Sequence, residues 1–196
     1  MNYDENKKQQ QAMAAWLETR EFTVFGTLKF TNGFAVHDAR GEKLMRQYFC
    51  ALVRTYYGNA VNNTGMRHNR VVFKHMGTSR ENLHYHFLAK PHTDPALFAQ
   101  LAKKQWAKMG SWTAGWEKTE IDLVRCNTAA SKYMVHEFNV LGADSICLPA
   151  SSFTAAARNP LQFRNLAQMR RLLILQQYDI DENGDSVSDD NALYTT

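Results

Sequence analysis

Residues Leu83-His84-Tyr85-His86-Phe87-Leu88 put two imidazoles, one residue apart, inside an otherwise apolar run. Side chains of a strand alternate faces with a period of two. As a strand, this stretch turns His84 and His86 one way and Tyr85 and Phe87 the other. One face is then a sheet surface to be buried against helices, and the other is a polar surface carrying adjacent imidazoles. Neutral imidazole is a common metal ligand, and same-face neighbours in a strand are close enough to share an ion. The competing reading of the stretch alone is a half-buried strand with two exposed histidines.

The flanking sequence supplies the rest of a sheet. Phe22 to Phe30 is β-branched and aromatic, with Val24, Gly26, Leu28 and Phe30 on one face and Thr23, Phe25, Thr27 and Lys29 on the other. Gly26 within it suggests a bulge or a close approach. Arg67 to Met76 reads as a further strand around Val71-Val72-Phe73. The turn formers Gly77 to Asn82 join it to the histidine strand as a hairpin. Thr119 to Val124 alternates as a short fourth strand.

Helical periodicity separates these strands. Leu44, Met45, Tyr48, Phe49, Leu52 and Val53 recur at three- and four-residue spacing between about Gly41 and Tyr57. A second helix is expected from Pro95, capped by Thr93 or Asp94 and carrying Leu97, Phe98, Leu101, Trp106 and Met109. A third is expected from Asn127 or Thr128 through Phe138. Further helices are expected over about residues 4–20 and 160–178. The fold class is therefore α+β: a central antiparallel sheet of ferredoxin-like or RRM-like character, flanked by helices, with extra N- and C-terminal helices. The expected organisation is an N-terminal helix (1–20), a main domain (21–140), a C-terminal helical extension (141–178) and a disordered acidic tail (179–196).

Charge narrows the partners. Six acidic residues and no Lys or Arg lie between Leu172 and Thr196, so the first 171 residues hold all 23 basic residues against 13 acidic ones, a net of +10. A basic body with an acidic tail points to a polyanion, with nucleic acid as the first expectation. No apolar run is long enough to span a membrane, and the polar N-terminal residues lack a signal peptide's apolar stretch. The three cysteines, Cys50, Cys126 and Cys147, form neither a disulfide framework nor a zinc spacing and are expected to be small buried groups. A reducing, cytoplasmic location is expected.

Further positions can join the histidine pair. His75 ends the strand expected to pair with it, and Glu81 in the loop competes for the place of third ligand. Thr27 and Lys29 occupy the polar face of the first strand. On a continuous helix, Tyr133, His136 and Glu137 share one face with Lys132 beside it. A phenol has a pKa of roughly 10, so Tyr133 needs a cationic or basic neighbour to act as a nucleophile.

Taken in order, Phe25-Gly26-Thr27-Leu28-Lys29-Phe30, Leu83-His84-Tyr85-His86-Phe87-Leu88 and Ala130-Ser131-Lys132-Tyr133-Met134-Val135-His136 resemble the three motifs of the HUH endonuclease superfamily. That superfamily comprises rolling-circle replication initiators, relaxases and single-strand transposases. The resemblance covers about residues 20 to 140 and is closest to the single-tyrosine initiators of phages and plasmids. It departs from the pattern in the third motif: His136 and Glu137 stand where a lysine is usual, and Glu137 also stands where two-tyrosine members carry their second tyrosine. No phosphate-binding Gly-rich loop of a helicase module is present.

The resemblance implies the HUH nuclease fold and a metal-dependent nicking and joining enzyme for single-stranded DNA, with Tyr133 as nucleophile and His136 and Lys132 as its catalytic neighbours. His84, His86 and His75 would hold Mn²⁺ or Mg²⁺, and an all-imidazole shell favours Mn²⁺. Thr27, Lys29 and Arg80 would contact DNA; Trp106, Trp112 and Trp116 could stack bases, with core packing or loop burial the competing reading for each. The implied partners are single-stranded DNA or an origin hairpin and host replication proteins such as a helicase or polymerase. Two other readings compete: a non-catalytic module binding RNA or single-stranded DNA, and a zinc hydrolase using three histidines and water.

Overall fold

The computed structural model describes residues 3–58, 61, 68–110, 113 and 119–152. In order these form α1 (Tyr3–Glu18), β1 (Val24–Lys29), α2 (Asp38–Tyr57), β2 (Asn69–His75), β3 (His84–Lys90), α3 (Pro95–Ala107), β4 (Glu120–Leu123), α4 (Asn127–Met134) and the short α5 (Phe138–Leu141). The four strands make one antiparallel sheet in the order β2-β3-β1-β4. The expected C-terminal helix and acidic tail lie outside the described residues, as do Trp112 and Trp116. Among the described residues no helix is long and apolar enough to cross a membrane.

The sheet has two covered faces, and alternation along each strand decides which residues go to which. On one face Val24, Leu28, Val72, Tyr85, Phe87 and Ile121 pack against α2 (Met45, Tyr48, Phe49, Leu52) and α3 (Phe98, Ala102, Trp106). On the other, Val71, Phe73 and Leu88 pack against α1 (Met13, Trp16, Leu17) and the segment carrying Met134, Val135 and Phe138. Fully burying side chains of this size is worth roughly 1.5–3 kcal/mol each. The sheet is therefore fixed from both sides. Trp106 is buried at 1% exposure in the first of these cores, which removes it from any base-stacking role.

Local signals account for most boundaries. Asp94 caps α3 by accepting from the Ala96 and Leu97 N–H groups, and Pro95 occupies its first turn. The helix expected from Gly41 begins three residues earlier, at Asp38. Leu97, expected on the apolar face of α3, is exposed. Cys147 is buried as expected, whereas Cys50 and Cys126 are exposed: Cys50 lies on the outer face of α2, and Cys126 sits at the N-cap of α4.

The largest departure is in the helix that carries Tyr133. It does not run on to Phe138; α4 stops at Met134, and a turn through 135–137 leads into α5. The reason is tertiary. Val135, Phe138 and Met134 all enter the core beneath α1, and Gln10 on α1 donates its side-chain N–H to the Val135 carbonyl at 2.6 Å. A second departure is at the edge of β2. Residues 146–152, beyond a 3₁₀ turn at Gly142–Ser145, run along that edge with bridges Phe73–Ile146 and Arg70–Ser152. They cap backbone groups that would otherwise be open to pairing.

Gly26 shows why the central strand needs a glycine: a Cβ there would run into the Phe87 ring of β3. Gly26→Ala is expected to destabilise the protein by about 1–3 kcal/mol through overpacking. Urea unfolding monitored by circular dichroism measures this, and an unchanged midpoint would show that the Phe87 ring yields.

Candidate metal centre

The register of the three inner strands builds the centre. Phe73 and Thr27 lie opposite His86 from either side, and His75 and Lys29 lie opposite His84. One rung further along, Val71 and Phe25 lie opposite Leu88. The same sheet face therefore changes from apolar to imidazole along its length, and the change comes where α4 ends above it. The ring centroids of His75 and His86 are 4.4 Å apart, those of His84 and His86 5.0 Å, and those of His75 and His84 5.7 Å. One ligand atom from each of His75, His84 and His86 lies within 4.8 Å of the others. The structure thus brings the three sequence-expected ligands together. Glu81 is exposed in its loop and belongs to no metal-competent cluster among the described residues.

Each ring is set by a neighbour. His75 donates Nε2–H to the Met134 carbonyl at 2.8 Å, and His84 donates Nδ1–H to the Asn82 carbonyl at 2.8 Å. Carbonyl oxygens only accept, so His75 presents a lone pair on Nδ1 and His84 one on Nε2. His86 Nδ1 is 3.0 Å from Thr27 Oγ1; donating to that hydroxyl frees Nε2. His75 Nδ1 and His86 Nε2 are both buried with no hydrogen-bond partner. Buried polar atoms of this kind normally find partners. Imidazoles oriented through their second nitrogen by a carbonyl or hydroxyl are the usual arrangement around a bound metal. The donor set fits a divalent cation.

The environment keeps the rings uncharged and ready to bind. Burial, above all, lowers the pKa of His75 to about 4, with His136 adding to the effect. Burial likewise puts His86 well below the ordinary histidine value and lowers His84, with neighbouring imidazoles pushing His86 the same way.

Tyr133 stands over this floor. It lies in the last turn of α4, is 51% exposed, and its ring meets His86 edge-on at 5.0 Å and Phe25 at 5.7 Å. Its backbone carbonyl accepts Nδ1–H of His136 at 2.6 Å, and the His136 ring is tilted beside the phenol at 5.0 Å. Because the helix ends at Met134, His136 and Glu137 reach the centre from a turn and not from a shared helical face. Glu137 accepts from the Met76 and Gly77 N–H groups at 2.7 and 2.9 Å, and one of its oxygens is 3.8 Å from His75 Nδ1. Glu137 forms a second metal-competent group with His75 and His136, which the sequence pattern did not mark. Its position after Tyr133 signals nothing until the turn folds back over β2.

The remaining residues divide by exposure. Thr27 is 6% exposed, and its hydroxyl faces His86. Lys29 is exposed beside His84 at the solvent end of the face. Arg80 is exposed in the hairpin loop, with φ +59° in a turn closed by its N–H to Gly77 O at 3.0 Å. Lys132 is exposed and lines the groove between α1 and α4, with Gln10, Glu18 and Thr128. On the other side of Tyr133 a cleft lined by Phe25, Glu120, Leu123, Arg125 and Ala129 opens along the β4 edge.

Comparison of the chain with family models, curated proteins and solved structures gave no match. The chemistry of the centre therefore rests on its own geometry.

Metal-free protein should lose stability on acidification. His75, His84 and His86 have folded pKa values below 6.5, so the unfolded chain binds more protons than the native one between about pH 6.5 and 4. The contribution is complete above about pH 6.5 and declines as pH falls towards the native value. For His75, lowered to about 4, it is up to about 3 kcal/mol at roughly 1.4 kcal/mol per unit. Urea midpoints of chelator-treated protein should drop from pH 7.5 to pH 5; a flat profile would mean that the rings are not desolvated.

Proposed function

We propose that the protein is a metal-dependent nicking and joining enzyme for single-stranded DNA that forms a 5′-phosphotyrosine intermediate on Tyr133. The observation that carries this reading is the half-exposed Tyr133 phenol standing directly over a floor of three converging imidazoles. A metal site alone suits many hydrolases. A helix-borne tyrosine fixed beside it, within reach of solvent, suits covalent transfer. The element order β1-α2-β2-β3-α3-β4 with strand order β2-β3-β1-β4 supports a ferredoxin-like core of the HUH kind.

In this reading His75, His84 and His86 hold Mn²⁺ or Mg²⁺. When bound, the ion supplies polarisation of the scissile phosphate and stabilises the charge that builds on it. Thr27, Asn82 and the Met134 carbonyl keep the imidazoles oriented. Tyr133 Oη attacks phosphorus: the Oη–P bond forms, the P–O3′ bond breaks, the phenolic proton leaves, and the departing 3′-oxygen takes up a proton. His136, whose ring lies 5.0 Å from the phenol ring and outside the trio of sheet histidines, is available as the base, and Lys132, turned towards α1, acts at most on the DNA backbone. Lys29 and Arg80 lie on the exposed rim, where phosphates of the strand would pass. The free 3′-hydroxyl suits priming of rolling-circle replication of a phage, plasmid or related element, and the stored ester suits rejoining. Relaxase and transposase activities use the same chemistry.

Incubation with labelled single-stranded DNA and Mn²⁺ should yield a covalent adduct on a denaturing gel, lost in Tyr133→Phe. Cleavage without an adduct would replace this reading with the hydrolase; binding without cleavage would favour the non-catalytic module. His84→Ala should abolish cleavage while sparing DNA binding, and retained cleavage would remove the metal assignment.

A further inference from the structure

The cleft beside Tyr133 has a volume of about 520 Å³. That lies within the range of small-ligand sites, roughly 300–1,000 Å³. Phe25 from β1, Glu120, Asp122 and Leu123 from β4, Arg125 from the loop that follows and Tyr133 from α4 line it. Five large apolar side chains are exposed among the described residues, and two of them, Leu123 and Tyr133, meet here. Phe25 adds a third ring surface, stacked on His86 and meeting Tyr133 edge-on. The cleft is thus an aromatic-walled slot that opens at the phenol.

Strand register gives it a polar side. Glu120 lies opposite Thr27 and Asp122 opposite Phe25. Thr27 lies in turn opposite His86, so Glu120 carries the His86 rung to the edge of the sheet. The two carboxylates differ. Asp122 accepts from Lys103 at 3.2 Å. The exposed Glu120 carboxylate has no hydrogen-bond or ion-pair partner among the described residues, and neither has the exposed Arg125 guanidinium. Charge then decides what fits between the rings. Two carboxylates repel a phosphate from the slot itself. An uncharged heteroaromatic ring stacks on the aromatic walls. If that ring bears an amino group, a carboxylate accepts from it, whereas a ring carbonyl in the same place faces the carboxylate with no proton between them.

We propose that this cleft holds the nucleobase next to the scissile phosphate, and that Glu120 selects a base with an exocyclic amine (cytosine, adenine or guanine) over thymine. This deepens the nicking reading and rests on it for the nature of the strand. Tyr133 serves both parts: its hydroxyl faces the phosphate and its ring walls the base slot. Arg125 takes the phosphate that joins this base to its neighbour.

The test is binding of octamers of deoxycytidine and deoxyuridine. They share a backbone, and uracil has thymine's O4 carbonyl where cytosine has N4–H₂. With divalent metal removed by chelator, so that no bond breaks, fluorescence anisotropy should show the cytidine octamer binding at least about 10-fold more tightly. Glu120→Gln keeps one oxygen and gains an N–H donor, and should bring the two octamers to within about 3-fold of each other. Arg125→Ala should weaken both alike and lower the salt slope by about one. Cys126 lines the cleft, while Cys50 lies on the outer face of α2, and both thiols are exposed. The cytidine octamer should therefore protect Cys126 from N-ethylmaleimide and leave Cys50 reactive. Equal wild-type affinities, no binding of either octamer, a ratio untouched by Glu120→Gln, or an unprotected Cys126 each overturns the proposal. If Glu120→Gln does not fold, the wild-type ratio and the Cys126 protection decide. A Tyr133 adduct without base preference defeats this inference and leaves the nicking reading standing; preference and protection without any adduct do the reverse.

Discussion

Antiparallel pairing of β3 with β2 on one side and β1 on the other is the interaction on which the rest depends. Its register lays down two rungs, Phe73–His86–Thr27 and His75–His84–Lys29, on a single sheet face. A slip of one residue in β3 would turn His84 and His86 into the core of Tyr48, Phe49 and Trp106 and expel Tyr85 and Phe87. The hydrophobic alternation that stabilises the sheet therefore also enforces the convergence of the three histidines. Gly26 belongs to the same constraint, because β1 approaches β3 only where the Phe87 ring has room.

The second face is built as a gradient. Val71, Phe73 and Leu88 bury against α1 and the Met134–Phe138 segment, and the same face then runs out into His75, His84 and His86. Apolar packing excludes water from one side of the imidazoles, and that desolvation is what holds the rings neutral. Such a site is costly for the folded protein when it holds no cation: His75 Nδ1 and His86 Nε2 are buried without partners. Uncompensated polarity of this kind persists only because the surrounding core is stable enough to maintain it.

α1 has a part in this beyond covering the sheet. Its Gln10 holds the Val135 carbonyl and its Asn6 donates to the Asn139 carbonyl at 3.0 Å, so the turn between α4 and α5 is anchored on both sides. That turn places Met134 O on His75 and Glu137 on the β2 loop. A helix that the sequence presents as an appendage is thus joined to the geometry of the centre through two amide side chains. The groove that remains between α1 and α4 takes Lys132 away from the imidazoles.

Read from the sequence alone, the strands, the three long helices, the antiparallel α+β architecture and the convergence of His75 with His84 and His86 were legible. All of them follow from local periodicity: a period of two assigns faces, a hairpin joins neighbours, and a strand-end histidine meets its partner across the pair. What local pattern could not carry was the behaviour of the chain after Tyr133. Helical periodicity continues through Phe138, and on it Glu137 reads as one more residue of the tyrosine's face. Only the burial of Val135 and Phe138 under α1, with Gln10 taking the Val135 carbonyl, ends the helix at Met134 and swings Glu137 onto Met76 and Gly77. The same holds for residues 146–152, which lie along β2 because that edge has unpaired backbone groups to satisfy. The sequence by itself determined which residues face the candidate metal site from the sheet, because side-chain alternation is a property of each strand. The tertiary structure decided which residues face it from above, because that depends on where a helix from the far end of the chain packs.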